Sequence, residues 1–363
     1  MKLPRNFGLD RFSGLYLWAA FIAVFGIWSP ALFLTRSTMD SIASAQAVTG
    51  ILSLAVLVPI VSGTFDLSVG ATANLAAIFC INLQTQHDMS ILVSIVLALL
   101  AGVAIGLANG FLVVVLKVNS FIATLGMGSV VLALLTMVSG NIQPTPPLSL
   151  WWPRLTNFSV YGFQVAFFLL LFVAVVVWWF LEHTPAGRYS YAIGCNAEAV
   201  RLSGVPVGRW VWLSLVVSGF LSALAGITFG SLLGPSLTFG PGLLLPAFAA
   251  VFLGSTQLKP GRFNVWGTII AIYVLATGVQ GFQYVTGVQW LSDMFDGVAL
   301  IAAVAFAIWR QQVSASRSET EAFEVSRSSA AAPTRDENAL LTEMNPSTSL
   351  NAEDDLGESA PIA

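Results

Sequence analysis

Charged residues are scarce in this chain: Asp, Glu, Lys and Arg together make up only 9% of its 363 residues. An ordinary soluble domain carries roughly 25% charged residues. Hydrophobic residues account for 56% of the sequence, and the mean hydropathy is +0.82. This composition excludes an ordinary soluble domain and is typical of a protein embedded in a membrane. The net charge of −3 gives no reason to expect a nucleic-acid partner.

Cysteine and histidine are also rare. The two cysteines, Cys80 and Cys195, are too far apart to indicate a disulfide framework, and the two histidines, His87 and His183, stand alone. The sequence contains no HExxH motif, no CxxC motif and no cluster of Cys, His and Asp. We therefore expect no metal, no other cofactor and no nucleophilic triad.

Lysine is rarer than its usual share, since the chain has only Lys2, Lys117 and Lys259. None of them follows the glycines of a GxxxxGK[ST] loop, which cradles phosphates in nucleotide-hydrolysing proteins. The chain is therefore not predicted to be an enzyme. If ATP drives its function, hydrolysis must take place on another chain.

Apolar runs of about 20 residues, the length that crosses a hydrocarbon core roughly 30 Å thick, recur along the sequence. We predict an all-α, multi-pass bundle of about ten spans within residues 15–310, preceded by a cytoplasmic segment, residues 1–14. The first run is too long for a signal-peptide core and is expected to be a retained anchor. The predicted spans are 15–34, 42–62, 67–83, 91–116, 120–140, 162–181, 210–233, 242–256, 264–283 and 290–309, with the third and eighth the least clearly bounded.

Basic residues predict the orientation, because cytoplasmic loops of membrane proteins carry an excess of Lys and Arg. With both termini in the cytoplasm, only Arg36 and Arg154 of the basic residues before residue 311 fall outside. The residues then placed inside are Lys2, Arg5, Arg11, Lys117, Arg188, Arg201, Arg209, Lys259, Arg262 and Arg310.

The last segment, residues 311–363, has a different composition, with ten acidic residues, three arginines and few bulky apolar residues. Such a segment cannot bury enough apolar surface to offset the entropy lost on ordering. We predict a disordered, acidic cytoplasmic tail.

Small residues recur every four positions in two of the predicted spans. In lipid, such stripes let helix backbones approach closely. We expect them to pack helices within one chain; the alternative is a dimer face or a moving seam. The stripes are Ala98, Gly102, Gly106 and Gly110, and Ser218, Ser222, Gly226, Gly230 and Gly234.

The longest predicted cytoplasmic loop before the tail, residues 182–210, contains a short amphipathic helix from Asn196 to Leu202. Asn196 is suited to cap its start, and Gly204 to end it. Its apolar surface is formed by Ala199, Val200 and Leu202, and its polar residues are Glu198 and Arg201. Such a helix favours a groove on a partner. A position on lipid headgroups is the alternative.

Two outside segments are irregular in sequence. Residues 232–248, LLGPSLTFGPGLLLPAF, carry three prolines and three glycines, and Pro235 and Pro241 cannot donate backbone hydrogen bonds. The sequence predicts either a break at membrane depth or an ordinary outside loop. In the loop 141–161, Trp151 and Trp152 are expected to anchor at the membrane interface rather than to stack on a sugar.

A lone carboxylate, Asp66, stands in the apolar stretch IVSGTFDLSVGATANLAAI, residues 60–78. An acid inside a membrane is by default a candidate ion or proton site. The sequence favours a structural role instead, because Asp66 has the form of an N-cap for the free backbone N–H groups at the start of the third span. Embedded acid–base pairs are otherwise lacking, which argues against an ion-coupled carrier.

Four segments, GTFDLSVG, NSFIATLGMGSVVLAL, GRYSYAIGCNAEAVRLSGV and VFLGSTQLKPGRFNVWGTIIA, resemble in that order the landmark segments of permease subunits of bacterial ABC sugar importers of the ribose and xylose type. The resemblance covers residues 42–310. It implies a fold similar to the ten-helix permease of the vitamin B12 importer, a place in the bacterial plasma membrane, and import of a pentose or hexose by alternating access. The implied partners are an ABC ATPase subunit, a periplasmic or lipid-anchored sugar-binding protein, a second permease chain and membrane lipid.

The resemblance also implies roles for particular residues. Residues 195–204 match the coupling helix that docks on the ATPase, so contacts with it are expected from Asn196, Glu198, Ala199, Arg201, Leu202 and Gly204. The translocation path is expected beside broken helices, at Gly63, Asp66, Ser68, Gly70, Pro235 and Pro241. Two alternatives stay open: a permease for branched-chain amino acids or another small polar solute, and an ion-coupled secondary carrier. The sequence does not name the sugar.

Overall fold

A computed structural model of the chain describes residues 9–288, 290–291 and 294–305. The predicted tail and residues 1–8 of the N-terminal segment lie outside the described residues.

The described residues are almost entirely helical. Helices α1 to α6 are Leu9–Trp28, Pro30–Phe33, Arg36–Val61, Val69–Thr85, Ile91–Gly110 and Ser120–Ser139. Helices α7 to α14 are Trp151–Asn157, Val165–His183, Pro185–Leu202, Val207–Leu232, Phe239–Gly242, Leu244–Gly254, Val265–Thr286 and Met294–Ala305. A π-helical turn, Phe111–Val115, continues α5, and the two-residue strands β1, Ser159–Val160, and β2, Phe163–Gln164, form an antiparallel hairpin before α8.

Six helices are long and apolar enough to cross a membrane: α3, α5 with its π-helical turn, α6, α8, α10 and α13. Four shorter apolar segments accompany them, namely Gly14–Trp28, Val69–Thr85, Phe239–Gly254 and Met294–Ala305. Within the described residues, these segments correspond one to one with the predicted spans. The all-α, multi-pass class is therefore confirmed.

Helix α3 forms the centre of the bundle. Its 26 residues would measure about 39 Å at 1.5 Å per residue, and 89% of its most apolar stretch is buried inside the protein. It packs against α8, α10, α12 and α13. Helix α10 also contacts α4 and α5, so it joins that helix pair to the centre, while α6 packs on α4 and α1 packs on α13.

Both stripes of small residues face other helices of the same chain. A Cβ atom added at Gly102 would lie 2.5 Å from the Gly219 carbonyl oxygen, and one at Gly106 would lie 2.5 Å from the Leu215 carbonyl oxygen. Gly226 sits equally close to the backbone of Ala73 in α4. The prediction that the stripes pack helices within one chain is confirmed for these positions, because only glycine allows the backbones to approach so closely.

Three local predictions are wrong. The first span is broken at Ser29, because Pro30 cannot continue α1 and begins the short helix α2 instead. Residues 185–195, predicted as loop, form the first part of α9. Trp152, predicted to anchor at the membrane interface, is only 2% exposed, and its Nε1 donates a hydrogen bond of 3.1 Å to the Gly230 carbonyl oxygen.

Candidate functional site

Residues 62–68, here called the connector, link α3 to α4 without regular secondary structure. The chain reverses at Gly63, whose φ of +75° is a left-handed conformation that glycine adopts without strain. The hydroxyls of Ser62 and of Ser214 in α10 lie 3.0 Å apart and share a hydrogen bond. The connector therefore begins at the end of α3 and is tied at once to α10.

Backbone N–H groups of the connector donate hydrogen bonds to side chains of α6. The Leu67 N–H donates to Thr124 Oγ1 at 3.0 Å, and the Phe65 N–H donates to Ser120 Oγ at 3.2 Å. Non-helical backbone is tolerated at membrane depth only where protein or water pairs its polar groups. These hydroxyls explain how the connector can interrupt the helical path inside the bundle.

Asp66 lies at the middle of this arrangement and is 1% exposed. Its Oδ1 accepts hydrogen bonds from the Ser68 N–H at 3.0 Å and from Ser68 Oγ at 2.6 Å, and its Oδ2 accepts one from Ser218 Oγ at 2.8 Å. Ser68 Oγ in turn accepts a hydrogen bond of 2.8 Å from Asn109 Nδ2 in α5. One carboxylate thus joins the connector to α10 directly and to α5 through Ser68.

The predicted N-cap position of Asp66 is wrong. Helix α4 begins at Val69 with Ser68 as its N-cap, so Asp66 precedes the cap by two residues. The short aspartate side chain bonds the backbone N–H two residues further on, which is the geometry of an Asx turn. Asp66 therefore orders the turn before the helix rather than the first turn of the helix itself.

The contacts of Asp66 are with neutral groups. Among the described residues, no ion pair includes it, and no group of His, Cys, Asp and Glu could hold a metal ion. Its two oxygens are already bonded to a backbone N–H and two hydroxyls.

A second irregular stretch, residues 233–243 and here called the break segment, meets α4 inside the bundle. It contains Gly234, with φ of +91°, and the one-turn helix α11. Asn74 of α4 donates to the Leu237 carbonyl oxygen and accepts a hydrogen bond of 3.0 Å from the Gly240 N–H. The side chain of Asn74 thus pairs two backbone groups of the break segment that have no helical hydrogen bond, because prolines and a turn interrupt the helix there.

The backbones of α4 and the break segment touch where Gly70 faces Gly240. A Cβ atom added at Gly70 would lie 2.5 Å from the Gly240 carbonyl oxygen and 3.4 Å from the Pro241 nitrogen. The structure therefore brings together Gly70 and Pro241 of the predicted path residues. Pro235 lies outside this contact, in the loop between α10 and α11.

Several polar residues of this region escape prediction. Asn74 and Asn109 are each 0% exposed inside apolar helices, and Thr124 is likewise buried. Asparagine in an apolar span is itself a signal, because its amide needs hydrogen-bond partners on a neighbouring helix. The sequence does not indicate which helix supplies those partners.

The end of α9 has the short helix that the sequence predicts. The backbone breaks at Asn196, with φ of −158° and ψ of 93°, and Asn196 Oδ1 accepts a hydrogen bond of 3.0 Å from the Ala199 N–H. Gly204 follows the helix with φ of +81°. The start at Asn196 and the end before Gly204 are confirmed, and we call residues 197–202 the α9 tip.

Most of the α9 tip is exposed. Leu202 is 79% exposed, Ala199 is also exposed, and Glu198 and Arg201 pair with each other at 2.6 Å. The hydrogen bond from Arg201 lowers the pKa of the Glu198 carboxyl. Val200 departs from the prediction, because it is half-buried against a cluster that includes Trp210 of α10.

The part of α9 that precedes the α9 tip has a direct backbone contact with the connector. Gly194, two residues before the break in α9, packs against the Val61 carbonyl oxygen and lies close to Gly63, with its Cα 3.4 Å from a Cβ atom placed there. A side chain at position 194 would collide with the end of α3. A displacement of Gly194 would therefore act on the end of α3 and on Gly63 of the connector.

The rest of α9 is held by residues of the α12–α13 loop. The Tyr191 hydroxyl donates to the Phe263 carbonyl oxygen at 2.7 Å, and the Arg262 guanidinium lies 3.8 Å from the centre of the Tyr191 ring. Burial raises the pKa of Tyr191 to about 12, so this hydroxyl stays protonated at neutral pH. Nearby, Lys259 pairs with Glu182 at the end of α8 at 2.8 Å.

Comparison with known proteins gives consistent matches along the chain. The family described as "Branched-chain amino acid transport system / permease component" matches residues 38–304. The autoinducer 2 import system permease protein LsrD of Photorhabdus laumondii subsp. laumondii is 31% identical over 78% of this chain and 86% of its own length.

Two further comparisons give lower identities. The D-allose transport system permease protein AlsC of Escherichia coli K12 is 27% identical over 84% of this chain and 94% of its own length. A solved structure, PsaBC from Streptococcus pneumoniae in complex with Fab, is 14% identical, with a TM-score of 0.44 and coverage of 80% of this chain and 94% of that chain.

Proposed function

Because the chain belongs to the permease-component family of branched-chain amino acid transport systems, we propose that it is the permease subunit of an ABC importer for a monosaccharide. The observation that carries the sugar class is the identity of 27–31% over about four fifths of the chain to permeases named for D-allose and autoinducer 2. ATP hydrolysis takes place on partner subunits. The solute reaches the permease from a binding protein, and a second permease chain completes the path.

The α9 tip is the surface proposed to dock on the ATPase subunit. Its support is a capped helix that is exposed on its Leu202 and Ala199 side and follows the part of α9 where Gly194 contacts the connector. Asn196 and Gly204 define its ends, and the Glu198–Arg201 pair gives it a polar side. Of the predicted apolar surface, Val200 is assigned instead to packing within the chain.

The docking role is tested by Leu202→Asp. Leu202 is 79% exposed, so the fold does not need its side chain, while a charge in an apolar groove should weaken association with the ATPase subunit. Leu148→Asp is the matched control, because Leu148 is 100% exposed in the loop before α7. Co-purification of the ATPase subunit with Leu202→Asp at the level of the control would contradict the proposal.

The translocation path is proposed to run beside the connector and the Gly70–Gly240 contact. Both are irregular backbone inside the bundle, and both carry polar groups that transmembrane helices normally lack. Gly63 and Ser68 belong to the connector, and Pro235 and Pro241 to the break segment. We propose that relative movement of α4 and the break segment opens and closes the path during alternating access.

The orientation follows from the docking proposal. The α9 tip, the connector start and the basic loop with Lys259 and Arg262 then face the cytoplasm, with both termini and the acidic tail on the same side. Arg36 at the start of α3 and Arg154 in α7 face outward. This arrangement agrees with the excess of basic residues expected on the cytoplasmic side.

A branched-chain amino acid is the second candidate solute, supported by the description of the family itself. The two candidate solutes are distinguished by measuring uptake in proteoliposomes that contain the permease, its ATPase and its binding protein. We expect ATP-dependent uptake of a labelled monosaccharide such as D-allose or D-ribose and none of L-leucine. Uptake of L-leucine and of no sugar would make a branched-chain amino acid the solute in place of a monosaccharide. Uptake driven by an ion gradient without ATP would contradict the proposal that the protein belongs to an ABC importer.

A further inference from the structure

An open cleft of about 570 Å³ lies at the end of the molecule opposite the α9 tip. It is bounded by the start of α3, by α7 and β2, and by the end of α10. Its volume falls within the range of small-molecule sites in proteins, about 300–1,000 Å³. The lining residues are Arg36, Ser37, Asp40, Ser41, Ser44, Ala45, Asn157, Gln164, Leu232 and Leu233.

The start of α3 turns a polar face towards this cleft. Ser37, Ser41 and Ala45 are exposed, although the same helix is buried from Ala47 onward. Serines at positions 37, 41 and 44 recur at helical spacing, so their hydroxyls lie along one side of the helix. A central helix of a membrane bundle would not need such a face if only lipid or protein covered it.

The serine hydroxyls of the cleft and the amide of Gln164 are available for a ligand. In the described part of the chain, the side chains of Ser37, Ser41 and Gln164 make no hydrogen bond, and the buried Ser44 Oγ has no partner. Buried hydroxyls are usually paired. A solute hydroxyl in the cleft would supply partners for this row of groups.

The charges of the cleft largely satisfy each other. Arg36 lies 3.9 Å from Asp40, and its Nη2 also donates to the Tyr161 carbonyl oxygen at 3.4 Å. Arg36 and Asp40 have opposite charges, so the lining has no net charge, and its other polar groups are neutral donors and acceptors beside the apolar side chains of Leu232 and Leu233. Neutral polar groups beside apolar surface suit a polyol, which has hydroxyls on its edges and C–H groups on its faces.

We propose that this cleft is a binding site for a sugar or other neutral polyol, where the solute is held on the outer face before it enters the path. This rests on the proposed function for the direction of transport. The cleft adjoins the break segment, because Asn157 Nδ2 donates to the Leu232 carbonyl oxygen at 3.2 Å, one residue before that segment begins. A solute bound in the cleft would thus contact residues at the start of the break segment, which leads to the Gly70–Gly240 contact.

The test is protection of a cysteine placed in the cleft. In a Cys195→Ser background, Ser41→Cys is reacted with a maleimide in the reconstituted importer, with D-allose, D-ribose or L-leucine added. At a sugar concentration three times its Kd, we expect the reaction to slow about fourfold. Met39→Cys is the matched control, since Met39 is 57% exposed on the same helix but does not line the cleft, and its rate should not change.

A second variant tests the site by transport. Ser41→Trp should fill the cleft and raise the sugar concentration for half-maximal uptake, while association with the ATPase subunit stays unchanged. If neither sugar slows the labelling of Ser41→Cys or of Ser37→Cys, the cleft is not a polyol site, even where ATP-dependent sugar uptake upholds the proposed function. Protection by L-leucine alone would assign the cleft to amino acids, and uptake of L-leucine would separately contradict the proposed function.

Discussion

Asp66 shows how one buried carboxylate can hold three elements together. It accepts hydrogen bonds from the connector and from Ser218 of α10, and it reaches Asn109 of α5 through Ser68. Both carboxyl oxygens accept hydrogen bonds, which compensate part of the cost of burying the group. We propose that Asp66 fixes the connector between α5 and α10, two helices that pack through glycine.

Asp66→Asn and Asp66→Leu should separate this structural role from an ionisable one. Asn keeps one oxygen for the Ser68 N–H and can donate from Nδ2 to Ser218 Oγ, so we expect much of the transport to remain. Leu leaves the donors of Ser68 and Ser218 buried without partners, at about 1–3 kcal/mol each, and should lower both the melting temperature and uptake.

The measurement pairs thermal unfolding of the purified permease with uptake in proteoliposomes. Ser218→Ala is the companion variant, because it removes one donor and keeps the charge. If Asp66→Asn were folded and as stable as the native protein but inactive in transport, the carboxylate would have to act by its charge or its proton.

The residue scale also shows the limit of sequence reasoning. The isolation of Asp66 among apolar residues drew attention to it, and local spacing predicted an N-cap, which the structure places at Ser68 instead. Its partner Ser218 lies 152 positions away, and Asn109 lies 41 positions from Ser68, to which it donates, so no local pattern pairs these residues. Long-range hydrogen bonds depend on how helices pack, which the sequence of one element does not contain.

At the scale of elements, the α5–α10 contact is a close approach of two helices that requires glycine on both sides. Gly102 faces Gly219 and Ala223, and Gly219 in turn packs on the Gly102 carbonyl oxygen. Helix association in lipid rests largely on such van der Waals contact. Side chains here would separate α5 from α10 and pull Asn109 away from Ser68.

Gly102→Val should therefore destabilise the permease by about 1–3 kcal/mol, the usual cost of overpacking. The control is Gly126→Val in α6, which makes the same chemical change on an exposed helix face where an added Cβ meets nothing within 4 Å. Melting temperatures of the two variants in detergent are the measurement. Equal melting temperatures would show that α5 and α10 do not need this close approach.

Element boundaries were predicted well where apolar runs are long and poorly where proline or glycine intervenes. Helices α6 and α13 begin at Ser120 and Val265, within one residue of the predicted 120 and 264. The first part of α9 was missed because its Gly187, Ser190 and Gly194 lower helix propensity. Tertiary contacts override that propensity, since Gly187 and Gly194 pack against the backbones of Leu181 and Val61.

At the scale of the whole molecule, two faces with different chemistry emerge. One face carries the α9 tip, which follows the part of α9 held by Gly194 and Tyr191, and the other carries the cleft beside Ser41. Helix α3 joins the two, because the cleft lies at its start and the connector at its end. A movement caused by a partner on one face could therefore be transmitted through one continuous helix to a solute on the other.

The native cysteines report the orientation of these faces. Cys195 is exposed beside the α9 tip, whereas Cys80 is buried in α4. We expect a membrane-impermeant maleimide to label the protein in inside-out vesicles and not in right-side-out cells, and Cys195→Ser to abolish the labelling. Labelling of intact cells at Cys195 would place the α9 tip outside and would contradict the docking proposal.

The architecture as a whole was accessible from sequence because it depends on length, hydropathy and charge, which are summed over many residues. The all-α, multi-pass class and the ten apolar segments of the described residues, six of them long enough to cross a membrane, follow from such signals. The break near Pro235 and Pro241 and the capped helix at Asn196 follow from local proline, glycine and capping residues. The Gly70–Gly240 contact and the cleft do not, since each needs residues from helices far apart in the sequence. Contacts and cavities between helices can be identified only when the packing of the helices is known.

The Gly70–Gly240 contact has a consequence for the electrical insulation of the cell. A bacterial membrane stores energy as a voltage, and each elementary charge that leaks through it dissipates about 2.3 kcal/mol per 100 mV. If the translocation path runs beside this contact, as proposed, the two touching backbones would narrow the route open to a file of water molecules and to the protons it conducts. Glycine at these two positions would then serve the insulation of the membrane as well as the packing of the helices.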